Sequence, residues 1–208
     1  MRLLATERPD DAILGEEGSA GNAASPNVWI VDPLDGTSNY AHGFPIYCVS
    51  VGYAEKGQLV AGAVYDPLRD ELFTATRGDG AYLNGAAIAV SDAEAFNRAM
   101  VFTGLQTDDA DMVSQMLAQA GRLVNAARAV RSPGCPALSL CYVASGRCEA
   151  FCHGSLEPWD VAAGALIVQE AGGTATTYDG SDFPLDRGTA LAASNGRLHA
   201  RLLELIAG

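Results

Sequence analysis

The chain turns on the stretch Trp29-Ile-Val-Asp32-Pro-Leu-Asp35-Gly36-Thr37-Ser38-Asn39-Tyr40. Residues 28–31 are an apolar, largely β-branched run and read as a buried strand. Pro33 fixes its own φ and drives Asp32 toward an extended conformation, so the strand is expected to stop on that carboxylate. Gly36 lets the backbone come close to a ligand. Asp32 and Asp35 on one tight turn repel each other unless a cation lies between them, and hard carboxylate oxygens suit Mg²⁺ or Mn²⁺. The same letters also describe a solvated Asp-Pro turn, so the surrounding chain has to decide.

Upstream, residues 2–11 hold the last turn of a helix and a turn at Pro9. Residues 12–15 form a short apolar strand that ends on Glu16 and Glu17, and 19–27 are a loop. Downstream, 46–54 and 58–65 flank Glu55-Lys56-Gly57 as an antiparallel hairpin, and strands over 71–76 and 81–83 extend the same region. Gly78-Asp-Gly80 begins like a dinucleotide fingerprint, but nothing completes it. A strand is expected over 99–103. Met112, Met116 and Leu117 give 109–120 helical spacing, with Gly121 as its cap.

The second half alternates. A helix over 138–144 starts near Pro136, a strand covers 148–152, and the strongest helix of the chain runs over 157–171. Trp159, Ala162, Ala163, Leu166 and Ile167 make its apolar face, and Gly172-Gly173 closes it. A strand over 190–193 and a helix over 198–206 finish the chain. This order implies a mainly antiparallel sheet up to about residue 125, followed by an α/β half with crossover helices, in one domain.

Composition narrows the function classes. The 208 residues carry 25 acidic and 13 basic side chains, a net charge of −12, which argues against a nucleic-acid or anionic-membrane surface. An acidic protein acting on phosphates has to import positive charge locally, and a metal cluster does that. No run is apolar enough for a membrane span, and the start does not read as a signal peptide. Cys48, Cys135, Cys141, Cys148 and Cys152 lack zinc-site spacing and read as reduced, mostly buried thiols of a cytoplasmic protein.

Asp160 falls in the first turn of the strongest helix, where an acid stabilises by roughly 0.3–1 kcal/mol through the helix dipole without any further role. Glu16 and Glu17 likewise read as a solvated strand end. As a set, Glu16, Asp32, Asp35 and Asp160 each close an apolar element, and elements of one core bring such ends to one rim.

Gly15-Glu16-Glu17-Gly18, WIVDPLDGTSNY and EPWDVAAGALIVQEAGG together resemble the inositol monophosphatase family of Mg²⁺-dependent, lithium-sensitive phosphatases. GAVYDPLRDELFTATRGDGAYLNG and RSPGCPALSLCYVASG carry the likeness between them, almost end to end. The resemblance implies a layered α/β sandwich of the inositol monophosphatase and fructose-1,6-bisphosphatase type. It implies two or three Mg²⁺ ions held by Glu16, Asp32, the Leu34 carbonyl, Asp35 and Asp160. Gly36 and Thr37 would offer backbone N–H groups to phosphate, and the Thr37 hydroxyl would orient the attacking water. The catalytic set implied is therefore Thr37 with Glu16 and Asp35, acting by metal-activated water and without a protein nucleophile. Substrate contacts would come from Gly134, Cys135, Pro136, position 153 and Asp160. Homodimers are usual in that family.

Two departures from the pattern matter. Position 153, usually Glu in members that handle inositol phosphate, is His153, and Pro136 lacks an N–H. His153 reads equally as a substrate contact and as a half-exposed loop histidine. The family also carries two helices ahead of the Gly-Glu-Glu motif, with an acid that pairs with the motif threonine. Asp10 and Asp11 lie too close to Glu16 to be that acid, so the chain is expected to be N-terminally shortened. The expected substrate is a small phosphate monoester of inositol, a sugar or a related compound. Histidinol phosphate and fructose 1,6-bisphosphate are alternatives, and adenosine 3′,5′-bisphosphate is least favoured. From another class, a catalytically impaired phosphate- and metal-binding partner protein also fits.

Overall fold

The apolar run after Asn27 forms the third strand of a mixed eight-stranded sheet, and that strand aims both motif aspartates. The computed structural model describes residues 2–105 and 110–208 of the chain. A short helix α1 (Arg2–Glu7) leads into β1 (Ala12–Gly15), β2 (Ala20–Gly21) and β3 (Asn27–Asp35), followed by the small helix α2 (Thr37–Ala41). The strands β4 (Cys48–Glu55), β5 (Gln58–Asp66), β6 (Glu71–Thr76), β7 (Gly80–Leu83) and β8 (Ala86–Ile88) complete the sheet, in the order β2-β1-β3-β4-β5-β6-β7-β8. All its pairings are antiparallel except β1 with β3. The β4–β5 hairpin turns on Lys56 (φ 52°) and Gly57 (φ 78°), the positive-φ pair that a two-residue turn demands.

A second sheet begins at β9 (Met100–Thr103). It continues with helix α3 (Ala110–Ala126), β10 (Ala129–Arg131), helix α4 (Pro136–Ala144), β11 (Ala150–Leu156), helix α5 (Pro158–Glu170), β12 (Thr174–Thr176), β13 (Thr189–Ser194) and helix α6 (His199–Ala207). Its order is β10-β9-β11-β13-β12, with β10, β9 and β11 parallel. The halves therefore divide between Ile88 and Met100, earlier than the expected boundary near residue 125, because β9 and α3 belong to the second sheet.

Helix α5 packs against β3 to β7 of the first sheet, against β12 and β13 of the second, and along α4. Sequence spacing suggested one apolar face. In the structure α5 is buried on every side from Val161 to Val168, because it lies between layers and has no solvent face to keep polar. Small residues make the fit. A Cβ on Gly62 would lie 3.0 Å from the Cα of Ala163, and one on Gly164 would lie 2.7 Å from the Leu140 Cβ. Helices α3 and α6 cover the far face of the second sheet through Leu123, Leu198, Leu202 and Ile206.

Other expectations shift as well. Strand β3 does not stop at Asp32. It runs to Asp35 with an irregular register, Asp32 opposite Ser50 and Asp35 opposite Cys48, so three residues on β3 answer two on β4. Gly121 lies inside α3 and does not cap it, since nothing crowds it and the helix continues to Ala126. Position 109, the expected start of that helix, is outside the described residues. The strand expected over 148–152 is displaced to β11, which carries an irregularity between His153 and Leu156. The short strands β2, β8, β10 and β12 were not anticipated. No helix among the described residues is long and apolar enough to cross a membrane.

Candidate active site

In a regular strand Asp32 and Asp35, three apart, would point to opposite faces. The extra residue in β3 brings them round to the same rim, and Asp160 reaches that rim from the first turn of α5. One carboxylate oxygen from each of the three lies within 4.8 Å of the others. The Leu34 N–H donates to Asp32 Oδ1 at 2.9 Å, which fixes the first carboxylate against its own turn. The Glu157 N–H donates to Asp160 Oδ2 at 2.8 Å, so Asp160 caps its helix and joins the cluster with the same side chain. Glu16 is exposed at the end of β1, near enough for its charge to act on Asp32 and Asp160. Glu17 beside it is exposed.

Asp35 is held from behind. Its Oδ2 accepts the Ala137 N–H at 2.7 Å and the Cys135 thiol at 3.1 Å, with the Cys48 thiol at 3.8 Å. Cys135 was expected to meet substrate. Its side chain is instead buried and turned onto Asp35, because it is the residue that enters α4 with Pro136 at the first helical position. Burial, together with the Cys48 contact, holds the Cys135 thiol well above the usual range, so it is a donor.

Burial is also the main force on the carboxylates. It pushes Asp32 up to about 7, with the charges of Glu16 and Asp160 adding to it. It pushes Asp35 up to about 8, against the hydrogen bond from Cys135 and with the charges of Asp32 and Asp160 adding. Asp160 rises to about 6 by burial, with the charges of Glu16 and Glu157 adding. Three crowded, desolvated carboxylates that resist ionisation form a cation site by their own electrostatics. All the donors are hard oxygens, the set that suits Mg²⁺ or Mn²⁺. The residues present fit the metal that the sequence implied.

The cluster opens on a cavity of about 270 Å³ lined by Asp35, Gly36, Thr37, Ser38, Gly134, Pro136, His153, Ser155, Leu156 and Asp160. The loop before α4 and strand β11 thus bring Gly134, Pro136 and His153 to the aspartates. Gly36 has φ 87° and ψ 37° at the entry to α2, and a Cβ there would lie 2.9 Å from the Ile46 carbonyl oxygen, so only glycine fits. The Thr37 hydroxyl donates to the Leu34 carbonyl at 3.0 Å. His153 is half-buried, and burial lowers its pKa. Its Nδ1 accepts the Ser155 N–H at 3.2 Å, which assigns the ring proton to Nε2 and makes that atom a donor.

Sequence reasoning missed Ser38, Ser155 and Leu156 in the lining, and Asn39 beneath it. Asn39 Nδ2 donates to the carbonyls of Ile46 at 2.7 Å and Pro133 at 2.8 Å, and touches that of Gly134 at 3.3 Å. It stitches the metal turn to the α4 loop across 94 residues of sequence. No local signal marks such a side chain; only its place inside the motif hints at a role.

The inositol monophosphatase family model matches residues 1–207. A protein named putative Nus factor SuhB, from Neisseria meningitidis serogroup B, is 43% identical over 191 residues, covering 92% of this chain and 73% of its own. An inositol-1-monophosphatase of a Synechocystis species is 38% identical over 208 residues, covering 100% of this chain and 72% of its own. Among solved structures, the inositol monophosphatase of an Anabaena (Nostoc) species superposes with a TM-score of 0.92 at 35% identity, covering 99% of this chain and 82% of that one. The layered α/β sandwich is of that type, and the chain belongs to the inositol monophosphatase family.

Proposed function

We propose that this chain is a Mg²⁺-dependent phosphomonoesterase for a small phosphate ester of inositol, a sugar or a related polyol. The carrying observation is the convergence of Asp32, Asp35 and Asp160 from separate elements, with ligand oxygens within 4.8 Å, beside the cavity that holds Gly36 and Thr37. Glu16, Asp32, the Leu34 carbonyl, Asp35 and Asp160 would hold the ions. Bound there, Mg²⁺ supplies activation of a water and charge neutralisation at phosphate. The chain's own residues do the rest. Gly36 and Thr37 present the backbone N–H groups of a turn to the phosphate oxygens. The Thr37 hydroxyl, on the Leu34 carbonyl, fixes the turn next to the attacking water. His153 offers Nε2–H to an acceptor on the alcohol part of the substrate, where a carboxylate would accept from hydroxyls. That reversal removes the ground for inositol phosphate as the preferred substrate.

The test is phosphate release from a panel of monoesters, including inositol 1-phosphate, fructose 1,6-bisphosphate and histidinol phosphate, with Mg²⁺ and with EDTA. Release is expected only with Mg²⁺. Asp35→Asn is expected to reduce it at least a hundredfold while the circular-dichroism spectrum stays unchanged. Folded protein that releases no phosphate with Mg²⁺ from any of these would sink the proposal.

A second reading follows from the relatives named Nus factor. On this reading the chain acts as a partner protein, with its metal cluster a structural remnant. Asp35→Asn then separates the two, because a partner role survives the loss of turnover.

A further inference from the structure

Behind the metal turn, Asp35 faces two cysteines that the proposed reaction does not use. Cys48 comes from β4 and Cys135 from the entry to α4, and both are fully buried. Their sulfurs lie 3.6 Å apart. Asp35 Oδ2 lies 3.1 Å from the Cys135 sulfur and 3.8 Å from that of Cys48, and the Asp35 main-chain oxygen is 3.6 Å from Cys135 Sγ. A tetrahedral centre with metal–sulfur bonds of about 2.3 Å and metal–oxygen bonds of about 2.0 Å has S···S edges of about 3.8 Å and S···O edges of about 3.5 Å. The four separations match those edges to within about half an ångström. Two thiols in contact are ordinary core packing. Two thiols converging on one buried carboxylate make the donor set of a soft-metal centre, and sulfur excludes Mg²⁺ from it. A small cavity of about 20 Å³, lined in part by Cys135, Pro136, Ser139 and His153, adjoins Cys135 on the α4 side.

We propose that Cys48, Cys135 and Asp35 form a second metal site, for a thiophilic cation such as Zn²⁺, and that filling it withdraws Asp35 from the Mg²⁺ cluster. Binding breaks two S–H bonds, and the O–H bond of Asp35 where that carboxyl carries a proton, and forms two metal–sulfur bonds and one metal–oxygen bond; these protons leave to solvent with no change of oxidation state. The inhibition rests on the phosphatase reading; the binding does not.

Co²⁺ is the probe, because its thiolate complexes absorb by sulfur-to-metal charge transfer in the near ultraviolet and its carboxylate complexes do not. Titration of the full chain is expected to give one equivalent of that absorbance, displaced by Zn²⁺, with at least two protons released per ion in weakly buffered solution. Cys48→Ser and Cys135→Ser abolish the band, whereas Cys141→Ser and Asp160→Asn keep it. One equivalent of Zn²⁺ lowers Mg²⁺-dependent phosphate release at least tenfold in the unmodified chain. Folded protein without the band, without the proton release, or with a band that survives loss of both cysteines overturns the site. A band with phosphate release unchanged by Zn²⁺ overturns the coupling through Asp35. A band in protein that hydrolyses nothing upholds the site and removes the phosphatase reading.

Discussion

Asp35 answers to three neighbours at once, which is why its position is so closely determined. Its Oδ2 accepts from the start of α4, where the helix dipole favours a negative charge, while Asp32 and Asp160 disfavour that charge. The carboxylate is thus anchored on the protein side and under-compensated on the cavity side, the arrangement that a cation completes. Asn39 does the complementary work on neutral groups. It ties the Ile46 carbonyl to the Pro133 and Gly134 carbonyls, and so fixes the distance across the cavity mouth. Asn39→Ala leaves those acceptors without their donor and is expected to cost about 1–3 kcal/mol. For a chain of this size that lowers Tm by about 2–4 °C per kcal/mol. Because Gly134 lines the cavity, KM is expected to rise more than kcat falls. Thermal melts and steady-state kinetics on one preparation check both, and an unchanged Tm with an unchanged KM would remove the stitch from the argument.

Elements do their positioning through small residues and one irregularity. The extra residue in β3 turns two aspartates onto one rim, and α5 delivers Asp160 only because glycines let it sink between the sheets and α4. Gly164→Ala puts a Cβ 2.7 Å from that of Leu140, one helical turn after Asp160. Overpacking of that kind is expected to cost about 1–3 kcal/mol and to weaken Mg²⁺ binding together with stability. Gly121→Ala, in α3 with nothing near it, is expected to stabilise by up to about 1 kcal/mol and leave Mg²⁺ binding alone. Urea midpoints and calorimetric Mg²⁺ titrations separate the pair; equal effects of the two substitutions would contradict the packing account. The same elements show what the sequence could carry. The hairpin around Lys56-Gly57 and the acids closing apolar runs were legible, because turn chemistry and strand ends are local. Strands β2, β8 and β10 were not, since two or three residues hold no period. The all-round burial of α5 was not legible either, because a helix does not announce that both its sides will be covered. The Ala137 N–H and the Cys135 thiol lay beyond reach for a related reason: they meet Asp35 across long stretches of chain that no spacing rule connects.

At the scale of the molecule, the cluster couples folding to protons and to metal. Asp32, Asp35 and Asp160 have folded-state pKa values of about 7, about 8 and about 6, all above the 3.8 of the open chain. Between those limits the folded chain holds protons that the unfolded chain has released, so without metal, stability falls as pH rises from about 4 to about 8. His199 acts in the opposite sense within that window. Its ring is buried between Ser194 and Thr176 and resists protonation, so its contribution is lost as pH falls through the ordinary histidine range. The three carboxylates outweigh that single ring above pH 6. Mg²⁺ bound to the folded chain alone reverses the trend, because it stabilises by mass action and is strongest where the carboxylates are ionised. Tm in EDTA is therefore expected to decline from pH 5 to pH 8, and Tm with Mg²⁺ to stay level or rise, the two curves opening toward high pH. The net charge of −12 supplies a rival cause for the decline, general repulsion. Two controls divide them. Added NaCl screens exposed charges and leaves buried ones, so a decline that persists in high salt belongs to the cluster. Asp35→Asn removes one of the raised groups and is expected both to flatten the EDTA curve and to erase most of the Mg²⁺ increment. A curve in EDTA that is flat, or that responds to salt and not to Asp35→Asn, would show that the aspartates are not the strained charges this geometry makes them.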